Sequence, residues 1–251
     1  MWVADFNGRY RRDSVGLLEH EPQAVSAAFF HNYFDWYDAR PSELLFDRRY
    51  QVVKRLFDIV AASALAILAI PLGVLIALAI TLETRGPVFF AHTRLGKDGR
   101  PFRLWKFRSM RPESERLLGR YFRKHPELVA EWHANHKLKN DPRITRVGRW
   151  LRRSSLDELP QLWNVLCGNM SMIGPRPIVK AEIPKYGPAL RQYKRVQPGL
   201  TGLWQVSGRT DVSYRDRIDL DTEYIRHWTL GLDLKIFWKT VSVVLGGNGA
   251  Y

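Results

Sequence analysis

Between Asp58 and Glu83 the chain carries no charged residue (IVAASALAILAIPLGVLIALAITL). As a helix rising about 1.5 Å per residue, this run is long enough to cross the ~30 Å hydrocarbon layer of a bilayer. It lacks the polar stripe that the core helix of a soluble protein keeps, so the pattern predicts insertion into a membrane. Pro71 falls at its middle with Gly73 close behind. Proline removes a backbone bond and crowds the preceding turn, so a kink is expected there. Lys54 and Arg55 precede the run, and Arg85, Arg94, Lys97, Arg100, Arg103, Lys106 and Arg108 follow it. Positive charge on both flanks disfavours leaving either end outside the cytoplasm. A helix over 51–82 that breaks at Pro71 and returns to the same face satisfies both flanks. An ordinary kinked span is the alternative that these residues leave open.

Elsewhere the pattern changes period. Residues 1–50 read as an aromatic and basic leader, with AAFFHNYFDWYDARP forming an interfacial helix that Pro41 ends. The segment RGPVFFAHTRLGKDGRPFRLWKFRSM predicts two short strands around a Gly-Lys-Asp-Gly turn. ESERLLGRYFRKHPELVAEWHANH has helical period with a break at Pro126. NDPRITRVGRWLRRSSLDELPQLWNVLCGN reads as turn, helix, turn and a second helix ending before Gly168. GPRP at 174–177 is stiff and non-helical, and QPGLTGLWQVSGR is a glycine-punctuated loop or short strand pair. Asp233 is expected to cap a final amphipathic helix, LKIFWKTVSVVL, that stops at Gly246. The fold class expected is mainly α with a small β element: a membrane-bound helix, interfacial amphipathic helices, and a domain over 83–251. The N-terminus has no apolar core of a secretory signal.

Charge sharpens the picture. Lys and Arg number 39 against 25 Asp and Glu, a net charge of +14, which suits an anionic partner. Nucleic acid, anionic lipid and a phosphorylated substrate all qualify. The apolar run and the absence of a nucleic-acid-binding module count against nucleic acid. The single cysteine, Cys167, excludes an internal disulfide. The seven histidines show no metal-ligand spacing.

Asp157 and Glu158 stand together directly after Arg149, Arg152 and Arg153. Ser155-Leu-Asp-Glu158 matches a capping box. Pro160 argues otherwise, because proline prefers the first helical position, which leaves both acids in the turn before the helix. Exposed ion pairs are worth only ~0–1 kcal/mol, whereas the planar arginine fork is matched to phosphate. On the residues alone, capping and a phosphate-handling site both stand.

KFRSM, NDPRIT, LRRSSLDELPQLWNVLCGNMSMIGPRP and QPGLTGLWQVSGR follow in that order after an apolar segment with a central proline. This ordered set resembles the bacterial sugar transferases, the monotopic polyprenyl-phosphate hexose-1-phosphate transferases, from about Lys54 to Tyr251. DVSYRDRIDLDTEYIRHWTL and the GAY ending resemble the galactose branch most. The resemblance implies transfer of a sugar-1-phosphate from a UDP-sugar to undecaprenyl phosphate, with loss of UMP, on the cytoplasmic face of the bacterial inner membrane. Asp157 is then the nucleophile and Glu158 its metal-binding or acid–base partner, with Mg²⁺ held by Glu158 and Asp157. Lys106, Arg108, Arg152, Arg176 and Arg209 are expected to contact phosphates or nucleotide. The implied partners are UDP-sugar, undecaprenyl phosphate and membrane lipids, and no nucleic acid; a homodimer is left open. Ile70 stands where many members place a serine before the proline, which removes a hydroxyl that could bond a freed carbonyl.

Overall fold

A computed structural model describes residues 43–129, 141–207 and 213–245, together with 2–4, 10–12 and positions 132 and 138. The chain divides into two units, 1–39 and 40–251. In the first, β1 (Trp2–Ala4) pairs antiparallel with β2 (Tyr10–Arg12). The interfacial helix expected before Pro41 lies outside the described residues.

The second unit is built on α1 (Arg48–Glu83), a helix of 36 residues whose first turn Asp47 caps by accepting from the Arg49 N–H at 2.7 Å. Only 11% of its most apolar stretch is buried, so it is not a core helix. Its middle presents Ile67, Leu68, Ile70 and Val74 outward. The break expected at Pro71 is not seen: Pro71 lies inside one continuous helix. Proline forfeits one N–H but adopts helical torsions, so a helix can continue through it.

Both ends of α1 are tied to the same unit. Near the start, Lys54 donates to Asp233 at 2.6 Å and to the Ile173 carbonyl at 3.0 Å. Arg55 donates to the Val165 and Leu166 carbonyls, and Asp58 accepts from Ser171 Oγ and the Met172 N–H. At the far end, the Glu83 carboxylate accepts the Arg146 and Val147 N–H groups at 2.6 and 2.9 Å. Ile76 and Ile80 pack there with Phe107 and Leu151.

β3 (Phe89–Leu95) and β4 (Pro101–Phe107) form the expected hairpin, turning through Asp98 and Gly99 at positive φ. α2 (Ser114–Lys124) stops before Pro126, as the proline requires. α3 (Arg146–Ser154) begins at Thr145, whose hydroxyl accepts the Gly148 N–H. A side chain at Gly148 would collide with the Ser109 carbonyl, so glycine lets α3 lie against the end of β4. α4 (Gln161–Leu166) docks through Asn164, which accepts the Trp105 N–H at 3.0 Å and donates to the Arg103 carbonyl at 2.8 Å. β5 (Ser171–Ile173) pairs parallel with β6 (Gly199–Thr201), resolving the glycine-punctuated segment into one strand followed by a helical turn at Leu203–Val206.

Two longer helices close the unit, α5 (Tyr214–Arg226) and α6 (Leu230–Leu245). Asp233 does not cap α6: the Thr229 hydroxyl takes the Leu232 N–H, and Asp233 falls inside the first turn. Its carboxylate is buried and shared by Lys54, Tyr224 and Trp228. A carboxylate with three charged or polar donors satisfies its burial better than a cap would. Trp150 on α3, Trp163 on α4 and Trp238 on α6 remain exposed, each on an amphipathic helix.

Candidate active site

The turn between α3 and α4 brings the acids forward. Ser155 takes a left-handed conformation (φ 57°) that ends α3, and its side chain caps nothing. A single 3₁₀ turn, Leu156–Glu158, then carries both acids, and Pro160 immediately precedes α4. The capping-box alternative is therefore absent here. Proline and the left-handed serine together hold the acids in a turn, clear of either helix.

Asp157 is buried and Glu158 is half-buried, yet one ammonium serves both. Lys106 Nζ is 3.3 Å from Asp157 Oδ2 and 2.6 Å from Glu158 Oε1. Lys106 projects from β4 opposite Phe90, on the hairpin face away from Phe89 and Phe107. Burial raises the Asp157 carboxyl above its ordinary value; the Lys106 charge opposes this and Glu158 adds to it. Burial pulls Lys106 down, but the two carboxylates outweigh it and hold the ammonium above its ordinary value. The result is a desolvated carboxylate with a fixed cation beside it, an arrangement suited to attack on phosphorus.

The other predicted residues separate. Arg152 lies within electrostatic range of Asp157, and its Nε donates to Ser109 Oγ at 2.9 Å. Arg149 and Arg153 point to solvent. Arg176 lies over the Trp204 ring at 5.4 Å, between Pro175 and Pro177. Arg108 turns the other way and donates to the Thr84 and Arg85 carbonyls at 2.7 and 3.1 Å, closing the end of α1. The strand ends at Phe107, so the alternation that would pair Arg108 with Lys106 is lost. Arg209 lies outside the described residues.

Two residues went unrecognised in the sequence. Arg94 shares the Lys106 face of the hairpin and lies within electrostatic range of both Glu158 and Arg176. Alternation from Lys106 across the hairpin register could have found it. Arg217, on α5, stands over the Trp204 ring at 4.8 Å, and no local signal marks it.

The donor set for a divalent cation is the two carboxylates of Asp157 and Glu158. No third His, Cys, Asp or Glu joins them among the described residues. That set fits Mg²⁺, which is commonly held by one or two carboxylates and completed by substrate phosphates and water.

The family model for bacterial sugar transferases matches residues 49–247. The chain belongs to the bacterial sugar transferase family. It is 47% identical over 204 residues to the undecaprenyl-phosphate galactose phosphotransferase of Salmonella typhimurium, covering 81% of this chain and 43% of that protein. Over 200 residues it is 46% identical to the exopolysaccharide production protein ExoY of Rhizobium meliloti, covering 80% of this chain and 88% of the relative. It is also 40% identical over 210 residues to the UDP-glucose:undecaprenyl-phosphate glucose-1-phosphate transferase of Escherichia coli, covering 80% and 42%. This sugar transferase chain thus spans less than half the length of two of these relatives and most of the third.

Proposed function

We propose that the chain transfers a hexose-1-phosphate from a UDP-sugar to undecaprenyl phosphate and releases UMP, as the first membrane step of surface polysaccharide synthesis. The observation that carries this reading is the buried Asp157 carboxylate, held with Glu158 on the Lys106 ammonium. An Asp157 oxygen attacks the β-phosphorus, the bridging P–O bond breaks, and its electron pair leaves on UMP. An oxygen of the lipid phosphate then attacks the same phosphorus and frees the carboxylate. Dividing the transfer lets a polar donor and a lipid acceptor use one nucleophile in turn. Lys106 and Arg152 offset the charge that builds as two anions approach. Glu158, with Asp157, would hold Mg²⁺, which when bound supplies neutralisation of phosphate oxygens.

Galactose is the favoured sugar, because the Salmonella relative named for it is more similar than the Escherichia coli relative named for glucose. The membrane arrangement is monotopic, on the cytoplasmic face of the bacterial inner membrane. Supporting it, Lys54 near one end of α1 and Glu83 at the other both bond to a single domain, so both ends belong on one side. A straight helix of 36 residues would be about 54 Å long, well beyond the hydrocarbon thickness, and with both ends tied to one domain it does not read as a simple span.

The test is UMP release by detergent-purified protein with Mg²⁺ and undecaprenyl phosphate, offering UDP-galactose, UDP-glucose and their N-acetyl counterparts separately. Release from one donor, dependent on lipid and metal, is expected. No release from any donor by folded protein would overturn the reading in favour of a scaffold with the same fold.

A further inference from the structure

Beyond the acid pair, the domain gathers a second concentration of positive charge. Arg176 and Arg217 both stack on the Trp204 indole, at 5.4 and 4.8 Å. Arg94 lies within electrostatic range of Arg176 on one side and of Glu158 on the other. Arg94 also donates to the Pro177 carbonyl at 3.3 Å, beside Arg176, so it links the Trp204 pair to the acid turn. Buried like charges repel, and burial together with Arg176 depresses Arg94 below its ordinary value.

Two acids face this group. Glu182 stands 3.8 Å from Arg94 while accepting the Val179 N–H at 2.8 Å. Asp221 accepts the Tyr186 hydroxyl, and burial pushes its carboxyl up to about 7, so it is only partly charged at neutral pH. Within this group Arg94 Nε, Arg217 Nε and Trp204 Nε1 are buried without a hydrogen-bond partner among the described residues. Buried donors are ordinarily satisfied, so an arrangement of cations and unmatched N–H groups calls for an acceptor of negative charge.

We propose that Arg94, Arg176 and Arg217, gathered around Trp204, form the subsite for the phosphate that leaves with the nucleoside. This rests on the reaction proposed above, and it adds Arg217 and Trp204 to the substrate contacts. When the Asp157 oxygen bonds to the β-phosphorus, the bridging oxygen takes the electron pair and the departing α-phosphate gains a negative charge. Arginine forks that meet the departing phosphate would stabilise that charge as it forms.

The lipid phosphate is the other anion in the reaction, and position argues against it here. α1 packs on the Phe107 end of the hairpin, through Ile76 and Ile80. Arg94 lies five residues along β3 from Phe89, the partner of Phe107, or about 16 Å further from that apolar end. A nucleotide arriving from water reaches this end more directly than a polyprenyl chain does.

Arg217→Gln and Trp204→Phe test the assignment, with equilibrium UMP binding measured alongside donor and lipid kinetics. Arg217→Gln should weaken UMP binding and raise the donor KM roughly 10- to 100-fold, as expected for a lost charge-assisted bond. Arg217→Lys should recover part of this, and KM for undecaprenyl phosphate should stay at the wild-type value. Trp204→Phe keeps an aromatic platform and removes one donor, so a smaller change in the same direction is expected. A wild-type enzyme that turns over, with UMP binding and donor KM unchanged in both variants, overturns the subsite alone. A rise confined to the lipid KM does so too, by assigning the cluster to the acceptor. If wild-type protein neither releases nor binds UMP, the proposed reaction falls and takes the subsite with it.

Discussion

The hairpin β3–β4 has two faces that do opposite work. On one, Phe89 stacks against Phe107 with ring centroids 5.3 Å apart, and Phe107 packs with Ile76 and Ile80 of the apolar helix. On the other, Lys106 holds Asp157 and Glu158, and Arg94 reaches toward Arg176. Neighbouring residues in a strand point to opposite sides, so Lys106 and Phe107 separate a charged site from an apolar support across one strand thickness. The difference teaches how one small element could serve the proposed polar donor and lipid acceptor: the acid pair lies on one side and the contact with the apolar helix on the other.

If the polar face alone performs the chemistry, Asp157→Asn should lower turnover by at least about 10⁴-fold while leaving expression and membrane retention intact. Asparagine keeps an oxygen for Lys106, so the turn survives while the nucleophile is lost. Normal turnover in this variant would end the nucleophile assignment. Lys106→Met comes next, with a loss of roughly 100-fold or more from removing the preorganised cation. Its signature lies in pH. Asp157 attacks as the carboxylate, burial raises its pKa, and the Lys106 charge is what holds that rise down. Removing the charge lets the pKa rise further, so the acid limb of kcat/KM should move to higher pH. An unmoved limb would show that the ammonium does not act on Asp157.

Much of this division was legible in the sequence, and the illegible parts have a physical cause in common. The apolar run, the Gly-Lys-Asp-Gly turn, the stop before Pro126 and the acid turn before Pro160 are all set by residues close in sequence. Arg108 donates to the Thr84 and Arg85 carbonyls, a tie between segments 24 and 23 residues apart that its own motif does not reveal. Arg217 and Asp233 took their places through packing between distant segments: α5 against the Trp204 turn, and α6 against Lys54. A buried carboxylate such as Asp233 looks like an ordinary first-turn acid until its partners, 179 residues away in the case of Lys54, are known. At Pro71 a strong local signal for a break meets a helix that continues on both sides, from Arg48 to Glu83.

The smallest expected effect concerns the seam on the apolar face. Glu83 accepts two N–H groups at the start of α3, where a helix has unpaired donors and a partial positive charge. Glu83→Gln keeps one carbonyl acceptor and loses the charge, so it should cost about 1–2 kcal/mol and lower Tm by a few degrees. Turnover below the new melting range should stay near wild type, because the contact lies at the opposite end of α3 from Arg152 and the acid turn. Thermal unfolding in detergent beside UMP release separates the two quantities. A loss of turnover matching that of Lys106→Met, with Tm unchanged, would mean that the end of the membrane helix acts on the acid turn directly. In that case the two faces of the hairpin would be one site, because α3 would be transmitting the position of α1 to Arg152.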